Sequence, residues 1–292
     1  MIAFASNSLL CRAALKQSSL DPATFTLVPI LSGGVALWLI ASVRRMVTVG
    51  TSAAPVLEGS GSALISSLRY GNWVSAAALF VYAAGFSFAY VSLSAGTGAL
   101  LLFGAVQATM ILWGLHKGER LNTIQIVGFA VAVTGLVVLV FPGLSAPPLT
   151  GSMLMMGAGV AWGIYSLRGK RERNPASVTT GNFVRAVPFA VAVSAIFAGW
   201  ANYKLAGISY AVISGAITSG LGYVIWYSVL PGLSATSAAT VQLSVPVLAA
   251  TGGILLLGES ITLRYALASV AVIGGIALVV SAPQSHINLS KR

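Results

Sequence analysis

The sequence predicts an all-α integral membrane protein with ten transmembrane helices arranged as two inverted five-helix repeats. Three observations predict it. First, of the 292 residues 57% are hydrophobic and only 7% charged, with mean hydropathy +0.91. A soluble domain carries about 25% charged residues, and no soluble core could hide this much apolar surface. Second, apolar runs of spanning length, about 17 to 25 residues, recur along the chain. Third, the second half of the chain echoes the first in order.

The runs fall at 1–17, 23–45, 71–94, 97–116, 122–141, 150–169, 178–199, 208–229, 234–257 and 261–281. The opening run is short, because its uncharged part stops at Arg12. It does not read as a signal peptide: no basic residue precedes it and no small-x-small cleavage site follows. It is expected as a first helix that is short or frayed at its start, with up to a turn or two missing by comparison with the second repeat. Connections are mostly brief and polar or proline-containing, as in "FPGLSAPPLTG" (141–151) and "LPGLSAT" (230–236). The stretch 46–70 is rich in Gly, Ser and Ala and reads as a flexible loop. The repeats are expected to divide the chain into 1–141 and 142–292.

Charge sets the orientation. With the N-terminus inside, Arg44, Arg45, Arg69, Lys117, Arg120, Arg168, Lys170, Arg171, Arg173, Lys291 and Arg292 fall inside, and Arg12, Lys16, Lys204 and Arg264 fall outside. The positive-inside rule then favours both termini in the cytoplasm, although Arg12 and Lys16 flank the first helix on the wrong side. The net charge of +11 is therefore spread between hydrophobic runs rather than gathered into a nucleic-acid-binding face. Cys11 is the single cysteine, and His116 and His286 stand far apart without acidic company, so neither a disulfide framework nor a metal site is expected. No G-x-x-x-x-G-K-[ST] run occurs, which argues against primary ATP-driven pumping. No cofactor is expected. Paired acids or histidines within helices are absent, which argues against a membrane-embedded enzyme.

The internal repeat is carried by ordered matches. "GFSFAY" (85–90) aligns with "GYVIWY" (222–227), placing Phe86 on Tyr223 and Tyr90 on Tyr227. Ala95 and Ala99 match Ala235 and Ala239, Gly118-Glu119 matches Gly258-Glu259, and Gly135 matches Gly275. "AFASNSLL" (3–10) roughly matches "AWGIYSLR" (161–168), and "DPAT" (21–24) matches "NPAS" (174–177). Five helices per repeat is an odd number, so the second copy enters the membrane upside down. Such inverted repeats suit a transporter, because one sequence packed two ways can open alternately to each side.

Ten segments, a five-plus-five repeat and a Gly-Glu pair closing the fourth and ninth helices resemble the drug/metabolite transporter superfamily, and more narrowly its ten-helix EamA-type exporters. "ATVQLSVPVLAATGGILLLGES" (239–260), with its mid-helix proline, apolar run and Gly-Glu, is the most specific stretch. Val106 in the first repeat departs from the pattern where the second has Pro246. The aromatic content of the third, sixth and eighth helices is similar to that of aromatic amino acid exporters in the family. The resemblance implies an inner-membrane exporter of small amphipathic metabolites, with aromatic or neutral amino acids leading. A multidrug or cationic-compound exporter, or a purine or nucleotide-sugar exporter of the same fold, is the alternative. It also implies that helices 1, 3, 4, 6, 8 and 9 line a central cavity. Oligomeric state is left open, a monomer included.

Candidate substrate contacts follow. Tyr82, Phe86 and Tyr90 share a face of the third helix, because i, i+4 and i+8 drift by only about 40° per step. Tyr223, Trp226 and Tyr227 cluster on the eighth. An interfacial aromatic belt competes as an explanation for Tyr90 and Tyr227, near helix ends. Trp162 and Tyr165 lie on the sixth helix beside Gly159 and Gly163, a small-xxx-small spacing that admits another backbone; core packing competes there. Gln107 and Gln242 are deep amides on the fourth and ninth helices, and Asn7 and Ser8 are polar on the first; helix–helix hydrogen bonding competes for all four. Pro246 frees a backbone carbonyl and is a candidate gating point. Arg185 reads as snorkelling to headgroups rather than as a substrate contact. None of the acids Asp21, Glu58, Glu119, Glu172 and Glu259 falls in a helix interior. Glu119 and Glu259 are expected to cap helix junctions, and the absence of a buried acid on the path points to facilitated diffusion or exchange.

Overall fold

The computed structural model describes residues 1–49, 70–118, 120–143, 146–169, 175–229, 242 and 244–281. Most of the expected loop 46–70, Glu119, and positions 230–241, which include the start of the ninth segment, lie outside the described residues, as do most of the charged residues counted inside. Among the described residues every regular element is helical.

In chain order the helices are α1 (Ile2–Lys16), α2 (Pro22–Val49), α3 (Trp73–Ala89), α4 (Ala95–His116), α5 (Thr123–Val140), α6 (Leu149–Gly169) and α7 (Pro175–Ile196). A short 3-10 turn, Ala198–Trp200, leads to α8, which runs Leu205–Val229. The described part of α9 is Ser244–Leu257, and α10 is Leu263–Ser281. Each lies within or close to an apolar run of the sequence. By length and composition, six of these helices can cross a membrane: α2, α4, α5, α7, α8 and α10. The chain is a multi-pass membrane protein.

Local chemistry sets the ends. Asn72 caps α3 by accepting from the Ser75 N–H at 2.8 Å. Ser94 caps α4 by accepting from the Thr97 N–H, and α3 ends at Ala89 in a turn where the Ser92 and Leu93 N–H groups donate to the Ala89 carbonyl, rather than running on to 94. Asn122 and Gln125 form a reciprocal capping box at α5, each bond at 2.9 Å. Gly118 and Gly258 follow α4 and α9 with φ of +91° and +64°, the left-handed conformation glycine adopts without strain. That explains the glycine in both Gly-Glu pairs.

The eighth helix departs from the sequence reading. Its middle, Ser214–Leu221, is π-helical, between α-helical Leu205–Ile213 and Gly222–Val229. Here it meets α2 at backbone distance: a Cβ on Gly215 would collide with the Pro29 carbonyl oxygen, and one on Gly33 would fall 2.9 Å from that of Gly215.

The helices pack in recurring pairs. α5 lies along α10, α2 along α7 and α4 along α9. α3 packs on α6 and α7, while α8 packs on α1 and α2; α4 packs on α6, while α9 packs on α1. At the α5–α10 crossing, a Cβ on Gly275 would meet the Ala132 backbone, and one on Gly135 would meet Val272. Close approach through small residues is how membrane helices gain packing without a hydrophobic drive. Gly159 and Gly163 of the small-xxx-small spacing face Leu102, Ala105 and Thr109 of α4.

Candidate functional site

Aromatic side chains from separate helices converge at the centre of the bundle. Trp162 on α6 is the hub. Its ring centroid lies 4.8 Å from Tyr82 on α3, 5.0 Å from Tyr223 on α8, 5.6 Å from Tyr165 and 6.1 Å from Phe4 on α1. Phe4 also packs edge-on to Trp226 and tilted against Tyr223, at 6.1 and 6.0 Å. Tyr82 continues to Phe86 at 5.6 Å, and Phe183 on α7 reaches Tyr223 at 5.9 Å. Offset and edge-on arrangements at these distances are the favourable ones for rings.

A polar knot sits beside the hub. The Asn7 carbonyl oxygen accepts from the Ser214 hydroxyl and, at 3.2 Å, from the Thr218 hydroxyl. Its NH2 donates to the Tyr82 hydroxyl at 3.4 Å. Ser214 and Thr218 belong to the π-helical stretch of α8, and such stretches are frequent at functional sites. Hub and knot share a cavity lined by Asn7, Phe25, Tyr82, Phe86, Phe183, Ser214, Ser219 and Tyr223, among others. Its volume is about 30 Å³, room for water rather than for a metabolite. The site is closed in this conformation.

Tyr82, Phe86, Trp162, Tyr165, Tyr223, Trp226 and Asn7 therefore stand together, and all are buried. Tyr90 is fully buried at 0% exposure, so it belongs to no lipid-facing belt. It touches Phe86 at 4.7 Å, but its hydroxyl donates to the Ala95 carbonyl at 3.2 Å. Tyr227 is also buried and faces the end of the bundle where α6 finishes, against Gly169. Gln107 and Gln242 are buried on α4 and α9, and the Gln107 amide nitrogen and Gln242 amide oxygen have no hydrogen-bond partner among the described residues. Ser8 is buried on α1. Pro246 is buried in the first turn of the described part of α9. Arg185 donates to the Tyr70 carbonyl at 2.6 Å and the Gly181 carbonyl at 3.1 Å.

Sequence reasoning missed Phe4, Phe183, Ser214 and Thr218. Phe4 lies in the segment matched to helix six, at the position that aligns with Trp162, and that correspondence was the available signal. The hydroxyls gave none, since Ser and Thr commonly satisfy themselves within helices.

Each end of the bundle carries a polar assembly, and only the one where α1 finishes is buried. Where α1 finishes, Arg12 donates Nε–H to Glu259 Oε1 at 3.0 Å and Nη1–H to the carbonyls of Tyr90 and Val91 at 2.9 and 3.2 Å. The other Glu259 oxygen accepts from the Ala95 N–H at 2.8 Å. Glu259 thus caps a helix, as expected, but that helix is α4 of the other half. The two charged side chains are 10% and 9% exposed. Where α6 finishes, Arg168 donates to Ser75 Oγ at 2.9 Å and to Asn72 Oδ1 at 3.0 Å. There the Asn72 N–H donates to Asn182 Oδ1 at 3.0 Å.

Known proteins resemble the chain at several levels. The profile of the EamA-like transporter family matches residues 149–281. An uncharacterized protein of Pseudomonas aeruginosa is 50% identical over 96% of this chain and 92% of its own. An uncharacterized transporter of Archaeoglobus fulgidus is 30% identical over 65% of this chain and 69% of its own. The threonine/homoserine exporter RhtA of Escherichia coli K12 is 34% identical over 128 residues, 43% of each chain. A solved crystal structure superposes with a TM-score of 0.65 over 95% of both chains at 20% identity, a likeness of fold alone.

Proposed function

The chain belongs to the EamA-like transporter family, a transporter and not an enzyme, and we propose that it exports small neutral or aromatic amino acids across the inner membrane. The observation that carries this is the junction of an aromatic hub with a polar knot. Rings from α1, α3, α6, α7 and α8 offer stacking surfaces for a side chain. The Asn7 amide, with Ser214, Thr218 and the Tyr82 hydroxyl, offers both donors and acceptors to a polar head. The name of the Escherichia coli relative supports threonine-like substrates within the class. The Gln107 and Gln242 amide atoms that have no hydrogen-bond partner among the described residues add polar groups that a bound substrate or water would satisfy.

Movement is by alternating access between two inverted five-helix repeats, with both termini cytoplasmic and Pro246 at a gating point. The pairwise packing supports the repeat. Exchanging helices 1–5 with 6–10 returns the same pairs, and the Gly135–Val272 contact has its counterpart at Gly275–Ala132. The Arg12–Glu259 pair supports the orientation, because an arginine neutralised by a carboxylate adds little free charge to the loop where it stood against the positive-inside count. Export runs down the substrate gradient or by exchange. The closed cavity of about 30 Å³ is one stage of that cycle.

The aromatic hub also suits a drug-like cation, the second reading. Uptake of labelled Phe, Trp, Thr and a cationic dye into proteoliposomes separates the two. The amino acids should enter and the dye should not. Tyr82→Ala and Trp162→Ala should each cut amino acid flux at least about tenfold, the scale of one lost ring contact with its burial. Flux unchanged in both variants would remove the hub from the transport path. Uphill export abolished by a protonophore would replace diffusion with proton coupling.

A further inference from the structure

We propose that Arg12 and Glu259 form a second substrate-binding site, a latch that an amino acid zwitterion opens by exchanging into the ion pair. The ligand class rests on the reading above; the latch itself does not.

The pair joins the halves of the molecule. Arg12 lies one turn from the end of α1 in the first, and Glu259 follows α9 in the second, 247 positions away. Glu259 also holds the first N–H of α4, and Arg12 holds the last carbonyls around α3. Four helix ends are thereby tied at one point. A Cβ on Gly253 would fall 2.6 Å from Glu259 Oε2, so the chain leaves just enough room for the carboxylate to lie inward. Parting this end separates two buried opposite charges. Leaving either one uncompensated is strongly unfavourable, so the end stays shut unless something replaces both partners.

A zwitterionic amino acid carries the needed replacements on one carbon. Its carboxylate suits Arg12, whose planar fork matches carboxylate geometry, and its ammonium suits Glu259. Room is present beside Glu259. A recess of about 210 Å³ opens on Glu259 and is lined by Ser92, Ser94, Thr97, Thr262 and Tyr265, among others. Its hydroxyls are the polar surroundings that a charged head needs when leaving water. The pair stands at the end that the proposed orientation places outside, and Tyr90 joins it to the hub: its ring meets Phe86 at 4.7 Å and its carbonyl accepts from Arg12.

Cys11, the one cysteine of the chain, reports on the latch. It neighbours Arg12 and is 0% exposed. In proteoliposomes, its modification by a membrane-impermeant thiosulfonate should be slow. The Arg12→Gln/Glu259→Gln double variant leaves no charge stranded and is the one to rely on if Glu259→Gln alone fails to fold. It should label at least about tenfold faster than the parent protein, the scale expected when a buried pair no longer holds its end shut. Excess threonine or phenylalanine should speed labelling of the parent protein but not of the double variant. The corresponding amino alcohol, lacking the carboxylate, and the deaminated acid, lacking the ammonium, should do neither. Labelling of the double variant at the parent rate would overturn the latch. Equal effects of the zwitterion and both truncated analogues would overturn the exchange. If amino acids cross proteoliposomes while Cys11 ignores them, the latch assignment falls alone; if they do not cross, the substrate reading falls instead.

Discussion

The two ends of the bundle solve the same problem with different chemistry. At each, an arginine at the close of a helix that begins its half, Arg12 on α1 and Arg168 on α6, grips the neighbouring helix ends. Arg12 does so with a buried carboxylate and two backbone carbonyls. Arg168 does so with a serine hydroxyl and an asparagine oxygen, and is itself exposed. One end is held by paired charges taken out of water, the other by neutral partners still near it. The difference predicts an asymmetric cycle: parting the Arg168 end exchanges hydrogen bonds for water, whereas parting the Arg12 end exposes or strands charge.

The largest effect tests the charged end. Arg12→Ala leaves Glu259 buried without its counter-ion, and should destabilise the protein by about 3–5 kcal/mol. Thermal melting in detergent measures it. Adding Glu259→Gln should recover much of the loss, because a neutral amide can still accept from the Ala95 N–H. A loss under about 1 kcal/mol in Arg12→Ala would place this pair with ordinary surface ion pairs and erase the asymmetry.

How much of this was legible depended on whether the signal was local. The hub residues Tyr82, Phe86, Trp162 and Tyr223 could be picked out because large aromatic side chains at helical spacing are conspicuous in apolar sequence. Their convergence was implied once the repeat placed Phe86 opposite Tyr223. The Gly-Glu pairs were visible, but not what Glu259 holds, since its partners Arg12 and Ala95 are 247 and 164 positions away. In sequence Arg12 looked like a loop charge on the wrong side. The π-helical stretch of α8 was invisible because it alters only the register of bonding, while the apolar pattern runs through unchanged. That register places Ser214 and Thr218 on Asn7, so the polar half of the site was hidden with it.

Smaller effects refine the contrast. Tyr90→Phe removes the bond from its hydroxyl to the Ala95 carbonyl, a buried neutral bond worth about 1 kcal/mol. Because Ala95 is also the residue that Glu259 caps, the loss should grow or shrink when combined with Glu259→Gln; contacting residues are coupled in this way. Strict additivity would separate the tyrosine from the charged assembly. Arg168→Ala should cost less than about 1 kcal/mol, since water replaces an exposed guanidinium readily. A cost like that of Arg12→Ala would show the two ends to be equally strong.

Tyr227, the counterpart of Tyr90 in the repeat, sets the smallest effect. It is buried to 5% exposure against Gly169, yet its hydroxyl has no hydrogen-bond partner among the described residues. A buried hydroxyl without a partner costs folding free energy rather than supplying it. Tyr227→Phe keeps the ring and deletes that cost, so melting should be unchanged or slightly higher, opposite in sign to Tyr90→Phe. The same substitution should then matter for transport rather than stability. A hydroxyl with no partner among the described residues, where α6 and α8 finish, can meet a substrate entering from that end, and its loss would raise KM without lowering the melting temperature. A lower melting temperature in Tyr227→Phe would mean that the hydroxyl is already bonded when that end is closed, and the two ends would be more alike than their arginines suggest.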